Sequence, residues 1–211
     1  MKNRKLILSL LFFSPFIFLI FDYLVFSNEG NSDLKVLEAL SLKDGDLVLR
    51  RGISIESFAV VMAGTNNAYS HIGLILMEGN KPFVIHIEPG ETSRKDDPVR
   101  KEPLSSFLGA DKASHFAIYR SHLNREKLEK VVVQALEFYF RKCRFDNSYD
   151  LQDDQHLYCT ELVLKAYRKG DQQMNSLLEK LENVNTLVSN RMILMPGAFT
   201  TSNLFYRICD Q

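Results

Sequence analysis

The sequence lacks the features of a nucleic-acid-binding or zinc-binding protein. Its 26 Lys and Arg residues balance 26 Asp and Glu residues, and a chain without net charge has no strong basic field to attract nucleic acid. The spacings of its three cysteines, Cys143, Cys159 and Cys209, match no zinc-binding pattern. We therefore expect no nucleic-acid partner, and the sequence indicates neither a metal nor a cofactor. A disulfide between Cys143 and Cys209 stays open, because a sequence does not fix its geometry.

No internal repeat or low-complexity tract divides the chain. About 180 residues follow the N-terminal segment, which is enough for one domain with a hydrophobic core. We assign residues 41–211 to this domain. The polar residues that begin the stretch 27–40 are typical of a linker, and a short lead-in follows them.

The N-terminus has the pattern of a membrane anchor. Basic residues within the first five positions precede an apolar run at residues 6–26, which is close to the roughly 20 residues that cross a bilayer. An Ala-x-Ala cleavage site is missing, so an uncleaved signal anchor over residues 1–26 is favoured, while a cleaved signal stays open. The basic flank predicts a single-pass protein of the cell membrane, with its main domain on the outer, extracytoplasmic side.

Strand-like runs come first in the main domain and helical patterns dominate later. We predict strands at residues 46–50, 71–77, 83–88 and 115–120, and helices at 53–63, 124–142, 157–169 and 174–181, with an exposed loop at 91–102. Several strands therefore precede the helix that bears Cys159. This order suggests an α+β fold, in which a small antiparallel sheet packs on helices, together with an N-terminal transmembrane helix.

Cys159 opens a predicted helix directly after a polar loop. A thiolate at a helix N-terminus is stabilised by the helix dipole and by unpaired main-chain N–H groups. The same N–H groups can bind an oxyanion during acyl transfer. A buried structural cysteine is the alternative, and it is a common fate of this residue type.

His71 begins a predicted strand that a turn at residues 79–80 joins to the next strand. If the turn is centred there, His71 lies opposite Glu88 and diagonal to His86. Because alternate strand residues share a face, one sheet face gathers His71, His86 and Glu88. Ionisable groups brought together in this way are costly unless they are hydrated, paired or functional. A structural histidine is the alternative for His71.

Four short motifs resemble one known family, and together they extend over roughly residues 41–167. They are Gly45-Asp46-Leu47-Val48, Ser70-His71-Ile72-Gly73, Lys81-Pro82-Phe83-Val84 and Tyr158-Cys159-Thr160-Glu161. They are similar to the YiiX/YebB-like and YaeF-like group of circularly permuted papain-like cysteine hydrolases. That group belongs to the NlpC superfamily and is related to lecithin retinol acyltransferase-like enzymes. The order of His before Cys is the mark of the permutation.

The resemblance implies a catalytic Cys–His–polar triad. The nucleophile corresponds to Cys159, the general base to His71 and the third member to His86, where close relatives usually have Glu. Either His86 orients His71 or Glu88 takes that role, and His86 is favoured. An oxyanion would be held by the Cys159 main-chain N–H, with a second donor near Tyr158.

These features predict a membrane-anchored cysteine hydrolase, either an amidase or peptidase or an acyl hydrolase, that acts through a thioester intermediate. Its substrate would be a cell-wall peptide or a lipid or acylated molecule, and the sequence does not choose between them. The alternative is a binding module for lipids or acyl groups, with the same fold and no turnover.

Overall fold

The computed structural model describes residues 40–65, 67–89, 97–185 and 190–211. The predicted anchor at residues 1–26 and most of the predicted linker lie outside these ranges. No helix within the described ranges is long and apolar enough to span a bilayer.

The described residues form an α+β domain. Its strands are β1 (Leu47–Gly52), β2 (His71–Glu78), β3 (Lys81–His86), β4 (Arg100–Pro103), β5 (Ala113–Ser121), β6 (Arg144–Phe145), β7 (His156–Leu157), β8 (Glu182–Asn185), β9 (Asn190–Ile193) and β10 (Phe205–Asp210). Its helices are α1 (Ile55–Ala63), α2 (Leu104–Phe107), α3 (Arg125–Phe140), α4 (Cys159–Gly170) and α5 (Gly197–Thr200), with a 3-10 helix at Gln172–Lys180.

Six of these strands form one antiparallel sheet in the order β10-β5-β1-β2-β3-β4. The turn between β2 and β3 uses Gly79 at a φ of 61°, a conformation that glycine adopts without strain. Leu74 pairs with Ile85 and Glu78 pairs with Lys81. This is the register expected from the sequence, so the predicted hairpin is confirmed.

Helices α3 and α4 pack on one face of this sheet. Alternate strand residues such as Leu49, Ile72 and Ile85 are fully buried and share a hydrophobic core with α3 and α4. Helix α4 packs on both α3 and β2. Since a strand alternates its side chains, the neighbouring residues Arg50 and His71 point to the opposite face. The polar cluster described below therefore lies on this second face, where Phe107 of α2 packs on it.

Two parts of the sheet differ from the predictions. The predicted loop at 91–102 is wrong in its last residues, because Arg100–Pro103 forms the edge strand β4 beside β3. Charged side chains made this segment appear to be a loop, yet charge is common on edge strands. Strand β10, which no strand pattern predicted, pairs with β5.

The last predicted helix and the cysteines can also be compared with the structure. The helix predicted at 174–181 is the 3-10 helix at Gln172–Lys180. No disulfide joins Cys143 to Cys209 in the described part of the chain. The Cys143 thiol instead lies 3.4 Å from the main-chain oxygen of Asp154.

Candidate active site

His71 stands at the start of β2, beside Arg50 of β1, and is almost completely buried. Its Nε2 atom lies 2.9 Å from Nδ1 of His86, the last residue of β3. The two rings meet edge to face with their centroids 5.1 Å apart. Gly73 permits this approach, because a Cβ there would lie 2.4 Å from Val84 and 3.2 Å from the Cβ of His86.

Glu102 of β4 lies behind His86 and was not anticipated from the sequence. Its Oε1 is 3.0 Å from Nε2 of His86, whose side chain is fully buried. Neither atom has a well-directed hydrogen bond among the described residues, so the contact is a close electrostatic one. The pairing with His86 is the largest of the causes that lower the pKa of Glu102, which falls to about 2. The carboxylate is therefore ionised at neutral pH.

The charge on Glu102 determines which nitrogens carry the protons. A neutral His86 places its proton on Nε2, facing the carboxylate, and leaves Nδ1 as an acceptor. His71 then donates its Nε2 proton to His86. This leaves Nδ1 of His71 with a lone pair, as a general base requires.

Glu88 lies close to His71 but is bound elsewhere. Its Oε2 is 3.8 Å from Nε2 of His71, which exceeds hydrogen-bonding distance. The same oxygen accepts a 2.5 Å hydrogen bond from Arg50, and the other oxygen is 3.6 Å from Arg100. The structure thus brings all three predicted residues together, and it is His86 that contacts His71 directly.

Arg50 and Phe107 enclose the histidine pair. The guanidinium of Arg50 donates to the main-chain oxygen of Phe107 at 2.7 Å and lies 4.4 Å from the centre of its ring. That ring contacts His71 and His86, with centroid distances of 5.4 and 5.0 Å. This packing restrains both imidazoles in the orientation that their hydrogen bond needs.

Cys159 is the first residue of α4, as predicted, and is partly exposed. Burial raises the pKa of its thiol to about 11, and the charge of Glu88 adds to the rise. Hydrogen bonds from the main-chain N–H groups of Ile72 and Thr160 oppose this rise. Ile72 directly follows His71 in the chain, so the N–H group that contacts the sulfur belongs to the residue next to the base.

The pKa of His71 is lowered well below its usual value. Burial is the main cause, and the nearby His86, Arg50 and Arg100 add to it. Because the pKa of Cys159 is raised and that of His71 is lowered, both shifts favour a neutral thiol and a neutral imidazole. The resting pair is therefore a thiol and its base, without a preformed thiolate–imidazolium pair.

The model of the permuted papain-like amidase enzymes, the YaeF/YiiX or C92 family, matches residues 41–208. The chain belongs to this family. The resemblance expected from the sequence motifs is thereby confirmed. The fold is also similar to the crystal structure of the metalloprotein yiiX from Escherichia coli O157:H7, with 19% identity and a TM-score of 0.62 over 82% of this chain and 99% of that chain. The comparison with curated proteins gave no match.

The main-chain N–H of Tyr158, near which a second oxyanion donor was expected, is engaged inside the helix cap. In this member of the YaeF/YiiX family, the Tyr158 N–H donates to Glu161 at 3.2 Å, and its hydroxyl accepts the Leu194 N–H at 3.4 Å. Tyr158 is buried and its main-chain donor is already used. The first turn of α4, at Cys159 and Thr160, remains the natural source of donors for an oxyanion.

Buried contacts fix the position of α4. The Thr160 hydroxyl donates to the main-chain oxygen of Leu194 at 2.6 Å. Glu161 is fully buried, lies 2.9 Å from Lys165, and has its pKa raised to about 7, chiefly by burial. These polar anchors hold the helix N-terminus against β2, where the thiol must stay.

His71, His86 and Glu88 also offer three donor atoms within 4.8 Å of one another, a spacing that could hold a metal ion. The surroundings suit a dication poorly, because Arg50 and Arg100 already neutralise Glu88. An ion bound by both histidines would also break the His71–His86 hydrogen bond. The arrangement fits a proton-transfer chain better than a metal centre.

A cavity of about 1000 Å³ lies elsewhere, at the far end of β2. Its lining includes Asp46, Met77, Arg120 and Tyr206, and it shares no residue with the Cys159–His71 cluster. The chemistry is therefore placed by the side-chain cluster and not by this cavity.

Proposed function

We propose that the chain is a cysteine hydrolase in which Cys159 is the nucleophile, His71 the general base and His86 the residue that orients it. The observation that carries the proposal is the 2.9 Å hydrogen bond between the two imidazoles, together with a thiol at a helix N-terminus that accepts from the N–H of Ile72, the residue after His71. Membership of a family of papain-like amidases supports the same chemistry.

The reaction follows from the positions of the protons. Nδ1 of His71 removes the thiol proton while the sulfur attacks the carbonyl carbon of an amide or ester. The proton then passes to the departing amine or alcohol, leaving a thioester on Cys159. Water attacks the thioester, His71 takes a proton from that water, and the acid leaves as the thiol is restored. His86 and Glu102 keep the His71 ring in place throughout.

We place this hydrolase on the extracytoplasmic side of the cell membrane, tethered by the apolar segment at residues 6–26. Its basic flank and its length support that placement. Substrates of both predicted classes, cell-wall peptides and lipids or acylated molecules, occur near that surface.

An acyl-transfer probe that reacts with thiols tests the proposal. The full chain should be labelled at Cys159, and His71→Ala should abolish labelling because the base is lost. Cys143→Ala is the matched control, since that thiol is buried away from the histidines, and it should leave labelling unchanged. Equal labelling of Cys143 and Cys159 would point instead to a binding module without turnover.

Metal binding is the second candidate. The similar E. coli protein is described as a metalloprotein, and three donors converge here. Metal binding is tested by exposing the full chain to zinc, dialysing away the unbound zinc and measuring the zinc that remains by elemental analysis. Zinc retained by the parent protein and lost in His86→Ala would favour it, and zinc content equal in both would exclude this site.

A further inference from the structure

Helix α1 and the residue two positions before it carry an exposed apolar surface. The side chains concerned are all large, and their exposed fractions are 58% for Ile53, 85% for Ile55, 61% for Phe58 and 68% for Met62. Among the described residues, these are four of the eight large hydrophobic side chains that are exposed. We call these four residues the α1 surface.

This surface is not the outer side of an ordinary amphipathic helix. None of the nine residues of α1 is buried, although most are apolar, and its one charged residue is Glu56 in the first turn. A surface helix normally buries an apolar stripe and turns charge towards water. Contiguous exposed apolar residues of this kind mark contact with a protein, a ligand or a membrane.

The α1 surface adjoins the active site. The Gly52 N–H donates to the hydroxyl of Ser70, the residue before His71, at 2.8 Å. Ser57 of α1 packs at the same glycine, where a Cβ would lie 2.1 Å from its hydroxyl. The helix is thus attached directly to the segment that delivers the general base.

Near its C-terminal end, α1 is connected through Asn67 to the same segment that holds the cysteine helix α4. The Asn67 side chain donates to the main-chain oxygen of Val60 at 3.2 Å and accepts from the Gly197 N–H at 2.9 Å. The main-chain oxygen of Leu194, three residues before Gly197, accepts a hydrogen bond from the Thr160 hydroxyl. The α1 surface is therefore held beside both catalytic elements.

The length of the chain that precedes the domain indicates what covers this surface. The apolar run ends at residue 26 and the described domain begins at residue 40. The 13 residues between them can span at most roughly 43–47 Å when fully extended. The tether proposed above would keep the domain close to the bilayer, whose apolar interior suits side chains such as Phe58 and Met62.

We propose that the α1 surface docks on the bilayer that holds the anchor, and that the substrate is a membrane lipid with an ester- or amide-linked acyl chain. This inference rests on the proposed hydrolase and names its substrate class. Cys159 forms a bond to the acyl carbonyl carbon, the lipid alcohol or amine leaves with the thiol proton, and water releases the fatty acid from the thioester.

Tryptophan fluorescence tests the docking, because the chain has no tryptophan of its own. Phe58→Trp is compared with Phe140→Trp, a control at a residue that is 73% exposed on α3. The full-length variants are reconstituted in phosphatidylcholine–phosphatidylglycerol vesicles with or without brominated lipids. We expect brominated lipid to quench the fluorescence of the tryptophan at position 58 and to leave the one at position 140 unchanged.

Two results overturn the docking. One is equal quenching, or none, at both positions. The other is emission at position 58 that is shifted to shorter wavelength without bromine quenching, which would assign the surface to residues 1–39 or, if it depends on protein concentration, to a second copy of the chain.

A second variant separates this inference from the proposed function. Phe58→Asp should reduce release of fatty acid from vesicle lipids at least tenfold and leave probe labelling of Cys159 unchanged. Labelling with undiminished lipid turnover, or with no lipid turnover in the parent protein, rejects the membrane substrate and keeps the hydrolase. Loss of labelling in the parent protein rejects the hydrolase itself.

Discussion

Two buried arginine–carboxylate pairs stand at the two ends of β1, and they differ in how completely they are satisfied. Arg120 binds both oxygens of Asp46 at 2.7 Å, and Asp46 also accepts the Lys43 N–H at 2.8 Å. Arg50, in contrast, binds a single oxygen of Glu88 at 2.5 Å. Among the described residues, its Nε has no hydrogen-bond partner.

The difference indicates that the Arg120–Asp46 pair has a structural role, whereas the cluster around Arg50 has a chemical one. An ion pair whose carboxylate oxygens are both bonded is a rigid tie between strands, and here it joins β5 to the start of β1. At the other end, Arg50, His86 and Glu102 keep buried polar atoms without directed partners in the described part of the chain. Such partly satisfied clusters are uncommon, and in native proteins they call for a functional explanation.

The largest effect should come from breaking the satisfied pair. Asp46→Ala leaves the Arg120 guanidinium without its partner in a largely buried position, which should lower the free energy of unfolding by about 3–5 kcal/mol. Chemical denaturation of the full chain measures this loss. Glu129→Ala, which removes an exposed pair with Arg125, is the control and should change little. Similar losses in both variants would contradict the assignment.

Breaking the cluster should reduce catalysis more than stability. His86→Ala removes the acceptor that orients His71, and it should lower kcat/KM by roughly 10²–10³-fold, less than the roughly 10⁴-fold that loss of an orienting carboxylate costs in other triads. Glu88→Gln should cost less, because Glu88 contacts His71 only at 3.8 Å. Steady-state kinetics on a shared substrate decide between them, and a larger loss for Glu88→Gln would make it the third member of the triad.

The histidine cluster could be predicted because its determinants are local. A turn at Gly79 and alternation along two strands are enough to place His71 and His86 on one face, and the observed register agrees. The cysteine at a helix start was likewise readable from a polar loop followed by an apolar helix pattern.

The outer part of the cluster could not be predicted, since it depends on pairing between distant segments. Glu102 reaches His86 only because residues 100–103 form an edge strand, and their charge resembled that of a loop. Arg50 ended an apolar strand, which was the one signal that it faced a polar site. The sequence predicted a helix at α1, but solvent exposure of its apolar side chains is a tertiary property.

The pH dependence of labelling tests whether the cluster rests as a neutral pair. The pKa of Cys159 is raised to about 11 and that of His71 is lowered, so little thiolate exists near neutrality. Alkylation by iodoacetamide should therefore accelerate with pH, by up to about tenfold per unit between pH 6 and 9. A rate that stays flat across this interval would show a thiolate–imidazolium pair instead.

The smallest effect should come from the charge of Glu102, which acts on His86 electrostatically. Glu102→Gln keeps a side-chain oxygen or nitrogen beside Nε2 of His86, but it removes the charge that stabilises the imidazolium form of the pair. We expect kcat to fall roughly three- to tenfold with KM unchanged, because a charge acting through a second imidazole contributes about 1 kcal/mol. Lys112→Gln, which removes the other partner of Glu102 at 3.2 Å, is the matched control.

Nitrogen NMR of the histidines adds a readout that packing alone would not move: the Nε2 proton of His86 should persist in the parent protein and exchange faster in Glu102→Gln. Equal exchange and equal kcat in the parent and both variants would reduce Glu102 to a surface salt bridge.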